Sequence, residues 1–226
     1  MWREHCLLCG MGSAQAAICD ACEVDLRWSI DVCRRCSLPL PDDWKGSVCG
    51  RCILNPPVFS ACVSACSYQY PVNRLIARYK YGAQDWLARG LSMLLTNRLR
   101  DLFSQHELPR PDVIVPVPLH HQRMRQRGFN QAYALARLVA KDLGLPLANN
   151  LCVRQLATRE QTGLSEHERR SNLRGAFALR KIIAYQQPAI IDDVITTGST
   201  VSELARVLLD GGAQSVQCWS VARAVY

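Results

Sequence analysis

Residues 192 to 200 read Asp-Asp-Val-Ile-Thr-Thr-Gly-Ser-Thr, directly after Pro188-Ala-Ile-Ile191. The apolar run predicts a short buried strand that delivers two adjacent carboxylates, Asp192 and Asp193, to its carboxyl end. Val194 and Ile195 lead into a loop of Thr196, Thr197, Gly198, Ser199 and Thr200, and a helical pattern follows. Loop amides and hydroxyls at a helix N-terminus make a seat for a phosphate dianion. Gly198 lets the backbone close around it. Carboxylates repel phosphate, so the acidic pair suits a different group, either vicinal sugar hydroxyls or Mg²⁺. A ribose 5-phosphate has this polarity, with a diol at one end and a phosphate at the other. A helix cap needs only one Asp or Thr. Neither a Gly-Lys-Ser/Thr phosphate loop nor a dinucleotide Gly-x-Gly-x-x-Gly is present.

A second chemistry lies at the other end of the chain. Eight cysteines form four Cys-x-x-Cys pairs: Cys6/Cys9, Cys19/Cys22, Cys33/Cys36 and Cys49/Cys52. Each pair can present two thiolates from one tight turn, and two such turns complete a tetrahedron around Zn²⁺. Two structural zinc sites are expected. Tandem pairing joins Cys6, Cys9, Cys19 and Cys22 on one ion and Cys33, Cys36, Cys49 and Cys52 on the other. Cross-braced pairing, first pair with third, is the alternative. Gly10 and Gly50, each just after a second cysteine, suit the positive φ of such turns. A head of about 56 residues buries little core, so metal binding should supply much of its stability. Cys62, Cys66, Cys152 and Cys218 read as core thiols.

The elements that must position these groups follow from pattern and composition. The 226 residues are 49% hydrophobic and 20% charged, which excludes a disordered chain. The net charge is +8. Residues 1–56 are slightly acidic, so the positive charge belongs to the body, above all to the stretch from His120 to Arg180. The start of the chain does not read as a signal peptide. The longest uncharged stretch, Cys52 to Asn73, carries three prolines and is a poor membrane span. A cytoplasmic protein with reduced thiols is expected. Asn55-Pro56-Pro57 reads as the joint between a zinc-ribbon head, residues 1–56, and a body, residues 57–226. In the body, strands are expected within 58–70, at 112–119, 188–191 and 215–221. Helices are expected over 72–81, 85–103, 129–143 and from about 201 to 209. Residues 155–172 read as a mobile loop. Strands alternating with helices predict an α/β body with a parallel sheet.

Residues 188–200 resemble the phosphoribosyl pyrophosphate (PRPP) motif of type I phosphoribosyltransferases, with Pro188 at a position where that motif prefers an apolar residue. Head and body together resemble the ComF family. The matching blocks are Tyr79-Lys-Tyr-Gly82, Pro116-Val-Pro-Leu119, Arg125-Gln-Arg-Gly-Phe-Asn-Gln131, Gln161-Thr-Gly-Leu-Ser165 and Arg169-Arg-Ser-Asn-Leu-Arg-Gly-Ala-Phe177, besides Asp192–Thr200. The resemblance implies a type I phosphoribosyltransferase-like (Rossmann-like) parallel sheet with helices on both faces, behind a double zinc ribbon. It also implies a role in the uptake or use of extracellular DNA, as in natural competence.

Within that resemblance Pro116, Val117 and Pro118 belong to the loop that faces pyrophosphate. Arg125 and Arg127 are the arginines expected beside it, since a guanidinium suits it bidentately. Arg159, Gln161, Thr162, Arg169 and Arg170 belong to a flap that closes over PRPP. Asp192 and Asp193 are the candidate catalytic pair, holding the diol while Mg²⁺-pyrophosphate leaves the anomeric carbon. Two other functions are open: a non-catalytic adaptor that holds single-stranded DNA on the basic body and docks DNA-uptake proteins such as a helicase, and a nucleotide-salvage phosphoribosyltransferase.

Overall fold

The computed structural model describes residues 5–12, 17–81, 85–156 and 173–225. Two short helices, α1 (Asp20–Glu23) and α2 (Gly50–Leu54), lie in the head. The body runs β1 (Ala61–Ser67), α3 (Val72–Tyr81), α4 (Asp85–Ser104), β2 (Val113–Pro116), α5 (His121–Arg127), α6 (Gln131–Leu143), β3 (Cys152–Arg154), β4 (Phe177–Leu179), β5 (Pro188–Ile195), α7 (Ser199–Asp210) and β6 (Gln217–Arg223). Strands β1-β6-β5-β2, in that order, form a sheet in which every pair is parallel, while β3 and β4 make a separate antiparallel pair.

The near-continuous apolar strands are buried on both faces, as parallel sheets require. On one face Ala189, Ile191, Ile114, Trp219 and Val221 pack with Leu91, Leu95, Leu135 and Val139 of α4 and α6. On the other, Ile190, Val113, Val115 and Cys218 pack with Val201, Leu204 and Leu208 of α7. The expected open parallel sheet with helices on both faces is therefore the architecture of the body. The bounds of the central strand are corrected. The strand at 188 does not stop at Ile191 but runs to Ile195, because β6 keeps pairing with it as far as Arg223. Its other neighbour, β2, stops pairing at Ile191. Beyond that point β5 is open on one side, and there the sheet leaves room for a ligand.

The four thiols of Cys6, Cys9, Cys19 and Cys22 lie within 4.8 Å of one another, as do those of Cys33, Cys36, Cys49 and Cys52. The pairing is tandem. Zn–S bonds of about 2.3 Å in a tetrahedron place sulfurs about 3.8 Å apart. The Sγ–Sγ separations are 3.7 Å for Cys9 and Cys19 and 3.8 Å for Cys36 and Cys49. The donor set and its spacing thus fit zinc at both sites. The Cys33 thiol, hydrogen-bonded to Cys36, is pulled down to about 4, while burial pushes Cys52 up to about 12. A cation is what lets all four be thiolates together. Gly10 has the expected positive φ of 75°. Gly50 instead opens α2, and in the second site it is Ser37, at φ 56°, that takes the left-handed turn.

The head is stitched to the body. Ser29 and Ser67 N–H groups donate to Ala65 and Arg27 carbonyls at 3.0 and 2.8 Å, and Cys62 N–H donates to the Arg34 carbonyl at 3.1 Å. Residues 27–34 thereby cover the edge of β1 that would otherwise stay unpaired. Leu7 of the first ribbon lies against α4 so closely that a Cβ at Gly90 would meet its side chain at 2.6 Å. Cys62, Cys66, Cys152 and Cys218 are all buried. Burial pushes the thiols of Cys62, Cys66 and Cys152 up to about 12, which leaves them unreactive.

Two outcomes follow. Metal analysis of the purified chain should give two zinc ions per molecule, and Cys36→Ser should lower that to one. Gly90→Val should cost about 1–3 kcal/mol by overpacking, read as a lowered thermal midpoint with faster hydrogen exchange in residues 5–12.

Candidate functional site

A cleft of about 590 Å³ opens at the carboxyl end of β5. Its floor is Asp192 and Asp193, one wall is the loop from Thr196 to Thr200, and the opposite wall is the 117–119 segment that follows β2. A second hollow, about 560 Å³ between residues 29–46 and α4, contains none of these groups.

Gly198, at φ 81°, turns the chain from β5 into α7 and is its N-cap. As a glycine it brings no side chain to cap the helix, and Ser199 N–H donates to Thr197 Oγ1 at 3.4 Å. Ser199, Thr200 and Val201 of the first turn line the cleft, so the positive end of the helix dipole faces it. Thr197 Oγ1 and Ser199 Oγ lie 2.8 Å apart and hold the turn.

The two acids have different company. Asp193 is almost buried and lies 3.3 Å from Lys80 Nζ, which comes from the last turn of α3. Its Oδ1 accepts from Val194 N–H at 2.8 Å. Asp192 is partly exposed to the cleft, and its Oδ1 accepts from Asp193 N–H at 2.9 Å. Burial first, then the charge of Asp193, pushes the Asp192 carboxyl up to about 7. Arg154 of β3 stands on the Asp192 side, with its guanidinium carbon 5.5 Å from the Phe177 ring centre. Burial, then repulsion by Arg123, lowers Arg154 to about 10, so it keeps its charge near neutrality.

Of the residues singled out in the sequence, Asp192, Asp193, Val194, Ile195, Thr196, Gly198, Ser199 and Thr200 line the cleft, and Thr197 sits within the same turn. Val117 and Pro118 line the opposite wall, while Pro116 ends β2 behind them. Arg127 lines the cleft and donates to Gln131 Oε1 at 3.3 Å. Arg125 is exposed and is not among the cleft residues; Arg123 is. Helix geometry explains the exchange. Residues 123 and 127 are four apart and share a face of α5, whereas 125 lies about 200° round the helix from 123. Arg159, Gln161, Thr162, Arg169 and Arg170, the expected flap, lie outside the described residues.

Sequence reasoning missed Lys80, Arg123 and Arg154 as site groups; for Asn130 it offered two roles, orienting the turn before α6 or capping that helix. Asn130 does both. Its Oδ1 accepts from Tyr133 N–H at 3.2 Å as the cap of α6, and its Nδ2 donates to the Val117 carbonyl at 3.1 Å. Gln131, buried, donates to the Lys80 carbonyl at 3.2 Å and so fixes the end of α3 that presents Lys80. His120 is a buried cap of α5, its Nδ1 accepting from Gln122 N–H at 3.4 Å.

A family model described as a double zinc ribbon domain matches residues 2–53, the segment holding both four-thiol sites. Both are zinc sites. Among the described residues no helix is long and apolar enough to cross a membrane. Solved phosphoribosyltransferases overlap only loosely. Adenine phosphoribosyltransferase from Leishmania tarentolae is 15% identical with a TM-score of 0.39, covering 63% of this chain and 60% of its own. Glutamine phosphoribosylpyrophosphate amidotransferase from B. subtilis is 17% identical with a TM-score of 0.34, covering 58% of this chain and 25% of its own. This chain thus spans less than two thirds of either, and the fold rests on its own topology. Whole-chain relatives are much nearer. "DNA utilization protein YhgH" of Escherichia coli K12 is 36% identical over 96% of both chains. "Competence protein ComFC" of Bacillus subtilis is 26% identical over 96% of this chain and 77% of its own. "Competence protein F" of Haemophilus influenzae is 36% identical over 97% of both. A likeness that runs unbroken through the zinc head and the cleft-bearing body places this chain in the ComF family.

Proposed function

We propose that this protein binds PRPP, or a related ribose 5-phosphate, at the carboxyl end of β5 and serves the uptake or use of DNA. The observation that carries the reading is the N-terminus of α7, behind the Gly198 turn, facing the same cleft as two adjacent carboxylates. The 5-phosphate would sit on the amides of the 196–200 turn. The ribose diol would donate to Asp192 and Asp193. The pyrophosphate, arriving as its Mg²⁺ chelate, would meet the 117–119 wall with Arg123 and Arg127. Four cations line a cleft that holds two carboxylates: Lys80, Arg123, Arg127 and Arg154. That surplus suits a ligand with several negative charges. The biological setting comes from the printed names of the whole-chain relatives, a competence protein and a DNA utilization protein. A cytoplasmic site of action agrees with the use of PRPP.

For group transfer, positioning and charge stabilisation would be the protein's share. Asp192 and Asp193 would hold the ribose while the arginines meet the charge that builds on the leaving pyrophosphate. The acceptor is left open. A second reading has its own observation. Arg125 stands exposed on α5, away from the cleft, beside an exposed His121, and this outer face could follow the backbone of single-stranded DNA. Such binding would weaken steeply with salt, and its slope would fall when Arg125 is replaced.

Calorimetry with PRPP and Mg²⁺ tests the main reading. Saturable binding to the wild type is expected, with a loss of at least about tenfold in Asp193→Ala, as removal of a charged hydrogen-bond partner implies. Absence of binding to the wild type would sink the proposal. The pH dependence has a definite sign. The diol donates best to an ionised Asp192, and that carboxyl titrates near 7 when the cleft is empty. Affinity should therefore rise by about tenfold from pH 6 to pH 8. In Asp192→Asn this part of the rise should be missing.

A further inference from the structure

We infer that Arg223 is a positioning residue that ties the second zinc knuckle to the phosphate-binding turn, so that each holds the other in shape. Arg223 ends β6, a strand whose seven residues are all buried, and it is itself only 5% exposed. A guanidinium taken out of water needs partners for its donors. Here they are backbone carbonyls from two separate parts of the molecule. Nε donates to the carbonyl of Cys36 at 2.7 Å. Nη1 donates to the carbonyls of Ile195 at 2.9 Å, of Thr196, and of Ala224 at 3.0 Å. Cys36 is a ligand of the second zinc site. Ile195 and Thr196 are the last residue of β5 and the first of the turn that leads to Gly198 and α7.

The placement is built rather than incidental. Arg223 is the register partner of Ile195 on one side and of Ser67 on the other. Its own carbonyl accepts from Tyr68 N–H at 2.7 Å, and Ala224 N–H donates back to the Ile195 carbonyl at 3.0 Å. The Arg223 backbone is thus fixed from both sides before its side chain reaches across. On the zinc side, Ser37 follows Cys36 in the left-handed conformation, and its Oγ accepts from Ser64 N–H of β1 at 3.1 Å. The knuckle therefore touches the sheet at two adjacent residues, and Arg223 connects one of these contacts to the cleft. A lysine could not replace it, because a single ammonium cannot span both carbonyl groups in the fixed fork of a guanidinium.

Two consequences follow. Zinc at the second site should stiffen the 195–200 turn, and a phosphate held on that turn should in turn slow the release of zinc, since coupling between two sites is reciprocal. The second consequence rests on the PRPP reading; the first does not.

The test uses the full zinc-loaded chain, with Arg223→Met and Arg223→Lys. Hydrogen exchange by mass spectrometry reads the turn, the knuckle and, as a control, α6. Release of zinc to a chelator reads the metal. Without ligand, both variants should exchange faster than wild type at residues 195–200 and 36–38, with α6 unchanged. They should also lose the second zinc about tenfold faster, the weight of one charge-assisted hydrogen bond. Wild-type rates in both variants would overturn the inference. Should the variants exchange fast throughout, wild type decides the matter. Removing its second zinc should speed exchange at 195–200, and an unchanged rate there would refute the coupling. With PRPP and Mg²⁺, wild type should release the second zinc more slowly and Arg223→Met should not. If PRPP fails to bind wild type, the reading of the cleft falls, while the ligand-free arms still decide the role of Arg223.

Discussion

The first turn of α7 presents its amide end to the cleft behind a glycine N-cap, and the rest of the site is arranged around that turn. Most helices satisfy such groups with a Ser, Thr, Asp or Asn side chain. Here Gly198 is the N-cap and supplies none. The cleft thus offers the positive end of a helix dipole, which suits an anion, beside two carboxylates, which suit hydroxyl donors. A molecule with an anion at one end and hydroxyl donors at the other matches both at once. The sheet makes room for it by ending the β2–β5 pairing at Ile191, while β6 carries β5 onward to Ile195.

Stability and function share parts in this chain. The zinc head could have been a separate module on a linker, but its residues 27–34 cover the edge of β1, and its first ribbon packs on α4 through Leu7. The second ribbon reaches the cleft itself through the carbonyl of Cys36 and the Arg223 guanidinium. Metal binding supplies order that a head of this size could not draw from burial alone. The same order is transmitted to the turn that would hold phosphate. In this arrangement the zinc ions contribute geometry rather than chemistry, as four-thiolate sites do.

The sequence made some of this plain and hid the rest. The Asp192–Thr200 turn and the four cysteine pairs are local patterns, and their meaning is carried by neighbours within a dozen residues. The cations of the cleft are not local. Lys80, Arg123 and Arg154 come from α3, α5 and β3, and only the fold brings them to one place. Arg123 was within reach, since a helix over residues 121–127 puts it on the face of Arg127 and leaves Arg125 outside. Gly90 carries no such signal, because a glycine in mid-helix does not announce the leucine lying against it. Arg223 left a faint one, a charge at the end of an otherwise uncharged strand of seven residues. The length of β5 was misjudged because Asp192 and Asp193 read as the end of an apolar run. Pairing with β6 overrides that local preference.

The most direct measurement is a crystal structure of the zinc-loaded chain with ribose 5-phosphate. The account predicts the phosphate against the amides of residues 197–200, with the two ring hydroxyls on Asp192 and Asp193. A phosphate seated instead among the exposed arginines of α5, with the α7 turn left empty and Asp193 still held by Lys80, would contradict it.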